Sequence, residues 1–255
     1  MAVYEVQNKK IITHLFDGWD ETMIWSCLQD CMGVAYADSL VSASSAQINI
    51  GGFCFFAGKT NYQLLKNQLE NLHSDFSILV PQNEDWERAI EDYFREKVTR
   101  RIRYATKKEK YAFDREKLQN IVSRIFPVYE LKMIDSVLYD EILALNWAKD
   151  LCINYKSYEE FASLGIGVVA CRNKIIVSGA SSYTSFNSGI EIEVDTREDE
   201  RRNGLASACV SKLILECLEQ DWYPSWDAHN RESLALAEKL GYSFDREYPV
   251  YELDF

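Results

Sequence analysis

One segment constrains the fold more than any other: a strand-like run that passes through an arginine-rich turn into a long amphipathic helix. Residues 190–195 (IEIEVD) alternate apolar and acidic side chains, as a half-buried strand does. Residues 205–218 predict a helix packed on a sheet, because their apolar side chains recur at helical spacing, at Val210, Leu213, Ile214, Cys217 and Leu218. The segment therefore predicts an α/β structure.

The turn between these two elements has the chemistry of a phosphate site. Gly204 has no Cβ, so an anion could approach the backbone, and the unpaired amides of a helix start attract negative charge. We predict that a pyrophosphate group binds here, at Arg201, Arg202, Asn203, Gly204, Leu205 and Ala206. The alternative is that the glycine and the alanine serve only close packing of the helix on the sheet.

The spacing RxxGxA at 201–206 resembles the acetyl-CoA pyrophosphate motif, [QR]xxGx[GA], of the GNAT (Gcn5-related) N-acetyltransferases. A second motif, NRESLALAEKLGY at 230–242, resembles the NxxSxxLAxKLG[FY] signature that follows the fifth GNAT strand. Residues 14–33, 45–59 and 223–230 are also similar to the bacterial GNAT subfamily that includes the zwittermicin A resistance acetyltransferase. The resemblance extends over nearly the whole chain.

The resemblance implies an α/β (α+β) GNAT fold over residues 128–255, with a mixed, partly antiparallel sheet flanked by helices. The pattern of residues 190–228 agrees, since it predicts a strand, a helix and then one further strand at 222–228. Residues 1–127 predict a separate mixed α/β lobe, including one strand at 46–57. This lobe could be a degenerate GNAT-like lobe, and we expect it not to bind CoA because it has no [QR]xxGx[GA] motif.

The resemblance further implies the ligands and the reaction. Backbone groups of Glu193, Val194 and Asp195 would contact the pantetheine arm of acetyl-CoA, and Asn230 would contact the same region. Asn230 could equally be the N-cap of the next helix, and the two roles can coexist. The expected reaction is direct attack of a primary amine of a small molecule, an antibiotic or a metabolite, on the acetyl thioester in a ternary complex.

The chain departs from the family pattern at the acid and the base. Many members place a Tyr general acid where this chain has Ala237, and some place a Glu base where it has Ser225. Glu193 and Asp227 are our first candidates for the base. Glu191 and Asp195 come second, and each of the four could instead be a carboxylate facing solvent. The candidate proton donors are Tyr183, Tyr248 and Tyr251, or solvent. A non-catalytic CoA-binding protein is therefore an alternative.

Charge and composition exclude some classes of function. The net charge of −12 and the pI near 4.8 argue against nucleic acid as a partner. The basic run at 100–110 is expected to be a solvated face. Its alternative is a docking patch for the 3′-phosphate of CoA or for an acidic partner, which would make the chain an interaction protein. The sequence leaves the oligomeric state open.

The remaining composition predicts a cytoplasmic enzyme without metal. No run of about 18 apolar residues occurs, so we expect neither a signal peptide nor a membrane span. The seven cysteines are expected to form no disulfides, because most lie in apolar contexts. Only Cys27 and Cys31 lie close together, and no local spacing supplies the further ligands that zinc requires.

Overall fold

The computed structural model describes residues 2–70 and 76–254. The chain forms two compact units, the first comprising Met1–Arg103 with Glu247–Phe255 and the second Tyr104–Arg246. Its seven cysteines are all free thiols. Within the described ranges, every helix is too short or too polar to span a bilayer.

Helices and strands alternate along the chain, with short 3-10 helices between them. The first unit contains β1 (Tyr4–Glu5), α1 (Thr22–Leu28), β2 (Val34–Ala37), β3 (Ser45–Ile50), β4 (Phe53–Gly58), α2 (Tyr62–Glu70), β5 (Phe76–Pro81), α3 (Glu84–Phe94) and most of β6 (Val98–Thr106). The elements that follow are α4 (Arg115–Ser123), β7 (Tyr129–Met133), α5 (Ser136–Leu143), α6 (Tyr158–Leu164), β8 (Gly167–Arg172), β9 (Ile175–Phe186), β10 (Gly189–Thr196), α7 (Leu205–Glu219), β11 (Tyr223–Ser225), β12 (Asp227–Ala228), α8 (Arg231–Leu240) and β13 (Phe244–Asp254).

The second unit is built on a sheet with the order β11-β10-β9-β8-β7. All neighbours in it are antiparallel except β10 and β11, which are parallel. Helix α7 packs on β8, β9 and β10 and buries Val210, Leu213 and Ile214. Each such aliphatic side chain contributes about 2 kcal/mol when it is fully buried. The predicted mixed sheet flanked by helices is confirmed.

The first unit repeats this order of elements. Strands β1 to β4 pair as antiparallel neighbours, α2 follows, and β5 returns parallel to β4. One prediction here was wrong: the single strand at 46–57 is the hairpin of β3 and β4. Its turn includes Gly51, whose φ of 57° is in the left-handed region that glycine favours. A repeated topology supports the interpretation of this unit as a GNAT-like lobe.

Two features of the first unit differ from the second. Strands β4 and β5 stay paired from Phe53 to Phe56, and the backbone amide of Gln82 then donates to the carbonyl of Phe56. In addition, the Asn61 side chain accepts the Gln63 amide in the first turn of α2. The pairing of β4 with β5 and the occupied start of α2 thus distinguish this unit from the second. That this lobe does not bind CoA stays a prediction.

The predicted domain boundary between residues 127 and 128 falls inside the second unit. Before that boundary, Tyr104 and Ala105 of β6 pair with β12, and the Thr106 hydroxyl donates to the Trp226 carbonyl at 2.6 Å. Helix α4, which also precedes the boundary, packs against α7. The boundary stays a prediction about where an independently folding domain begins.

A fragment of residues 128–255 is expected to be much less stable than one of residues 104–255. The shorter fragment loses the strand that pairs with β12 and the helix that covers α7. We expect this loss to cost about 4 kcal/mol, a large share of the 5–15 kcal/mol that typically stabilises a domain. Thermal unfolding followed by circular dichroism measures the difference. Equal, cooperative melting of both fragments would instead support the boundary at residue 128.

Candidate functional site

The candidate site lies where β10 and β11 stop pairing. The two strands pair at Gly189–Tyr223, Ile190–Pro224 and Glu191–Ser225, and after this point β12 pairs with β6. The predicted single strand at 222–228 is therefore two short strands with different partners. We call the opening between β10 and β12 the split. A continued register would set Asp227 opposite Glu193, so these two residues border the split from its two sides.

Along the split, none of the described strands pairs with one edge of β10. The Arg197 amide donates to the Val177 carbonyl at 3.0 Å, toward β9. Because amides alternate along a strand, the Val194 amide points to the other edge, which β11 has left. That amide donates to the Glu193 carboxylate at 3.0 Å. The Val194 amide is thus a backbone donor inside the split, and the half-buried Glu193 carboxylate accepts its hydrogen bond.

The predicted phosphate-binding turn is exposed and open. Arg201, Arg202, Asn203 and Gly204 are all exposed, and Gly204 is the N-cap of α7 with a φ of 78°. Gly204 has no side chain to cap this helix start. Apart from its two chain neighbours, the described residues place no heavy atom within 4 Å of the position that a Cβ on Gly204 would take. A helix start capped by glycine, two guanidinium groups and open space fit a pyrophosphate.

Glu200, whose role the sequence does not show, holds this turn in place. Its side chain is 1% exposed and accepts hydrogen bonds from the Tyr129 hydroxyl at 2.7 Å and the Asn203 amide at 3.4 Å. Arg172 and Arg197 form ion pairs with the same carboxylate, at 2.5 and 3.4 Å. The hydrogen bond to Glu200 also raises the pKa of Tyr129. Glu200 thereby ties the turn to β7 and β8.

Glu200→Ala is expected to destabilise the protein by about 3 kcal/mol, because it removes the buried carboxylate that Arg172 and the Tyr129 hydroxyl contact. Arg197 keeps its ion pair with Asp199. Tyr129→Phe is the matched control, since it removes one hydrogen bond and is expected to cost about 1 kcal/mol. Chemical denaturation measures both. Equal small losses would show that Glu200 does not organise the turn.

Asn230 is the N-cap of α8, as one of its two predicted roles requires. Its Oδ1 accepts the Ser233 amide at 2.8 Å, and its Nδ2 lies 2.8 Å from His229 Nε2. The cap uses the oxygen of the amide side chain. Contact with the cofactor stays a prediction for this residue.

The candidate bases differ in their environments. Asp227 is 7% exposed, and its backbone amide donates to the Glu191 carboxylate at 2.7 Å. Burial raises the pKa of Asp195 to about 6; the Asp150 carboxylate raises it too, and Arg201 opposes them. A pKa near the working pH suits a general base. The Glu193 carboxylate accepts the hydrogen bond of the Val194 amide, at the open edge of β10.

The family positions for acid and base carry other groups. Ala237 is fully buried, and the Ser225 hydroxyl accepts a hydrogen bond from the Lys108 ammonium at 3.0 Å. Tyr251 belongs to the first unit, where its hydroxyl donates to Glu91 at 2.6 Å. Tyr248 belongs to the first unit as well. Tyr183 is a half-buried residue of β9. The identity of the proton donor stays a prediction, with Tyr183, Tyr248, Tyr251 and solvent as its candidates.

The basic run at 100–110 makes contacts inside each unit. In the first unit Arg103 lies over the Phe53 ring at 5.0 Å. The ion pairs of the run are Arg100–Glu87 at 3.4 Å, Arg101–Glu252 at 2.8 Å and Lys110–Asp221 at 2.7 Å. Intramolecular contacts account for much of this charge, so the docking patch gains no support.

Comparison with known proteins decides the family. The family model described as GNAT acetyltransferase matches residues 13–251. The chain belongs to the GNAT acetyltransferase family. It is therefore an acetyltransferase by family, and a non-catalytic binding protein is not favoured.

Relatives of this GNAT acetyltransferase match it over almost its whole length. A GCN5-related N-acetyltransferase-like protein from Streptococcus suis 89/1591 is 45% identical, with a TM-score of 0.92 over 97% of this chain and 98% of that one. The Bacillus subtilis (strain 168) protein named uncharacterized N-acetyltransferase YdfB is 26% identical over 98% of this chain and 99% of its own.

A tandem GNAT protein from the clavulanic acid biosynthesis pathway shares the fold of this chain. Its TM-score is 0.54 at 9% identity, over 99% of this chain and 98% of that one. A fold shared with a tandem GNAT protein agrees with the topology that the two units repeat.

Proposed function

We propose that this protein transfers the acetyl group of acetyl-CoA to a primary amine of a small molecule, by direct attack in a ternary complex. The split carries the proposal: it places an unpaired strand edge with a backbone donor beside two acidic side chains. Family membership supports the transferase activity.

Residues 201–206 are proposed to hold the pyrophosphate of acetyl-CoA. The uncapped start of α7 supplies amide donors, and Arg201 and Arg202 supply positive charge. Along the split, backbone groups of Glu193, Val194 and Asp195 are proposed to bind the pantetheine arm, with Asn230 nearby in the motif that follows. This arrangement needs no metal.

Glu193 is proposed as the general base, with Asp227 as the second candidate. The Val194 amide would donate to the thioester carbonyl and polarise it, and this donation would displace the Glu193 carboxylate. The released carboxylate could then accept the proton of the attacking amine, directly or through water. A C–N bond forms as the C–S bond breaks, and the CoA thiolate takes a proton from solvent or from a tyrosine.

The acceptor is proposed to be a cationic amine, an antibiotic or another metabolite. The acidic side chains at the split and the net charge of −12 favour a positively charged substrate. Membership of the subfamily that includes the zwittermicin A resistance acetyltransferase is part of this proposal. We place the reaction in the cytoplasm, where a protein with seven free thiols would remain reduced.

Calorimetric titration with acetyl-CoA, followed by an assay of thiol release with a panel of amines, tests the proposal. Saturable binding and amine-dependent release of CoA thiol are the expected results. If acetyl-CoA does not bind, the proposed function is wrong. If it binds but no amine among mono-amines, polyamines and amino sugars causes thiol release, the assignment of the acceptor class is wrong.

A further inference from the structure

Glu191 lies where the split begins, and it has no role in the proposed reaction. Its side chain is only 3% exposed, and it is the last residue of β10 that pairs with β11. At the same level β9 carries one extra residue, which shifts the register between Glu191 and Ile192. Such a bulge bends a strand and increases its twist, so this is the point where the sheet changes direction.

The hydrogen bond between Glu191 and Asp227 replaces a bond of the strand ladder. The Tyr223 amide donates to the Ser188 carbonyl at 2.8 Å. Because the hydrogen bonds of a parallel ladder recur every two residues, a continued ladder would have the Asp227 amide donate to the Ile192 carbonyl. In the structure the Asp227 amide donates instead to the Glu191 carboxylate, at 2.7 Å. A side chain therefore takes the place of a backbone acceptor.

This replacement leaves the edge of β10 available. A buried amide needs an acceptor, and without Glu191 the acceptor next in register for the Asp227 amide is the backbone of β10. By alternation, the Ile192 carbonyl lies on the same open edge as the Val194 amide. One acceptor and one donor on that edge match the amide groups of a pantetheine arm.

We infer that Glu191 is a positioning residue that keeps β12 apart from β10, so that the cofactor's pantetheine arm can bind between them. The inference rests on the proposed function. It removes Glu191 from the set of candidate bases, because its carboxylate is engaged with the Asp227 backbone. The role requires a side-chain oxygen at position 191 that reaches the Asp227 amide and accepts its hydrogen bond, whether that oxygen is charged or neutral.

Two substitutions separate the acceptor oxygen from the charge. Glu191→Met keeps the size of the side chain and has no acceptor oxygen, whereas Glu191→Gln keeps one. Binding is measured with acetyl-CoA and with 3′-phospho-ADP, which carries the pyrophosphate but no pantetheine arm. For Glu191→Met we expect acetyl-CoA to bind about tenfold more weakly, the effect of one charged hydrogen bond, and 3′-phospho-ADP to bind as in the wild type.

Glu191→Gln is expected to restore acetyl-CoA affinity and to keep kcat within about threefold of wild type, less than a lost general base costs. Loss of kcat in Glu191→Gln would show that Glu191 is a base and would overturn the inference. This test is valid even if Glu191→Met does not fold. Equal weakening of both ligands in Glu191→Met, or no weakening, would overturn it too. If the wild type binds 3′-phospho-ADP and acetyl-CoA equally weakly, the proposed function itself is wrong.

Discussion

Gly204→Glu is expected to abolish measurable binding of acetyl-CoA. The new carboxylate would lie at the uncapped start of α7, beside the amides that are proposed to bind the pyrophosphate. Two like charges about 4 Å apart repel by about 4 kcal/mol near a protein surface, which lowers affinity by at least about 100-fold. Isothermal titration calorimetry measures the affinity.

Gly204→Gln is the matched control for this prediction. Both substitutions impose the same strain, because Gly204 has a φ of 78°, and neither Cβ would meet a heavy atom within 4 Å among the described residues. The strain costs about 1–2 kcal/mol in either variant. A much larger loss of affinity in Gly204→Glu than in Gly204→Gln locates the anion at this helix start. Equal affinities in the two variants would place the pyrophosphate elsewhere.

Glu193→Gln is expected to lower kcat about 100- to 1000-fold near neutral pH, as loss of a general base does. Acetyl-CoA affinity should not fall, because the glutamine cannot hold the Val194 amide more tightly than the carboxylate does. The loss of rate should shrink as the pH rises toward the pKa of the amine, since the amine then loses its proton without help. Steady-state kinetics over a range of pH measures this.

Two further variants control the assignment of the base. Glu198→Gln makes the same chemical change at an exposed position in the turn after β10 and should leave kcat unchanged. Asp227→Asn makes the equivalent change across the split. Normal turnover in Glu193→Gln with a large loss in Asp227→Asn would move the base to Asp227. Normal turnover in both variants would refute the assignment of the base while the enzyme class stands.

Local pattern was enough to predict the elements that form the site. Strand β10 and helix α7 agree with the predicted runs at 190–195 and 205–218 to within a residue. Such patterns are readable because alternation and helical spacing each report on one element and its buried face. The hairpin of β3 and β4 was missed, although Gly51 and Gly52 between two apolar runs are a signal of a two-residue hairpin turn.

The sequence could not show which residues position the site. Four acidic residues occur from Asp195 to Glu200, and no pattern marks Glu200 as the one that Arg172 and Tyr129 contact. Likewise, Glu191 reads as one more outward acidic residue of an alternating strand. Its contact with the Asp227 amide joins positions on different strands, so that only the folded chain reveals it.

The sequence by itself determined the family, the start of α7 and the strand that precedes it, because each depends on residues that are contiguous along the chain. The tertiary structure alone decided that β11 pairs with β10 whereas β12 pairs with β6, and that the buried carboxylates of Glu200 and Glu191 contact Tyr129 and the Asp227 amide. The physical reason is that these features depend on hydrogen bonds and ion pairs between distant segments, whose partners local propensity does not specify.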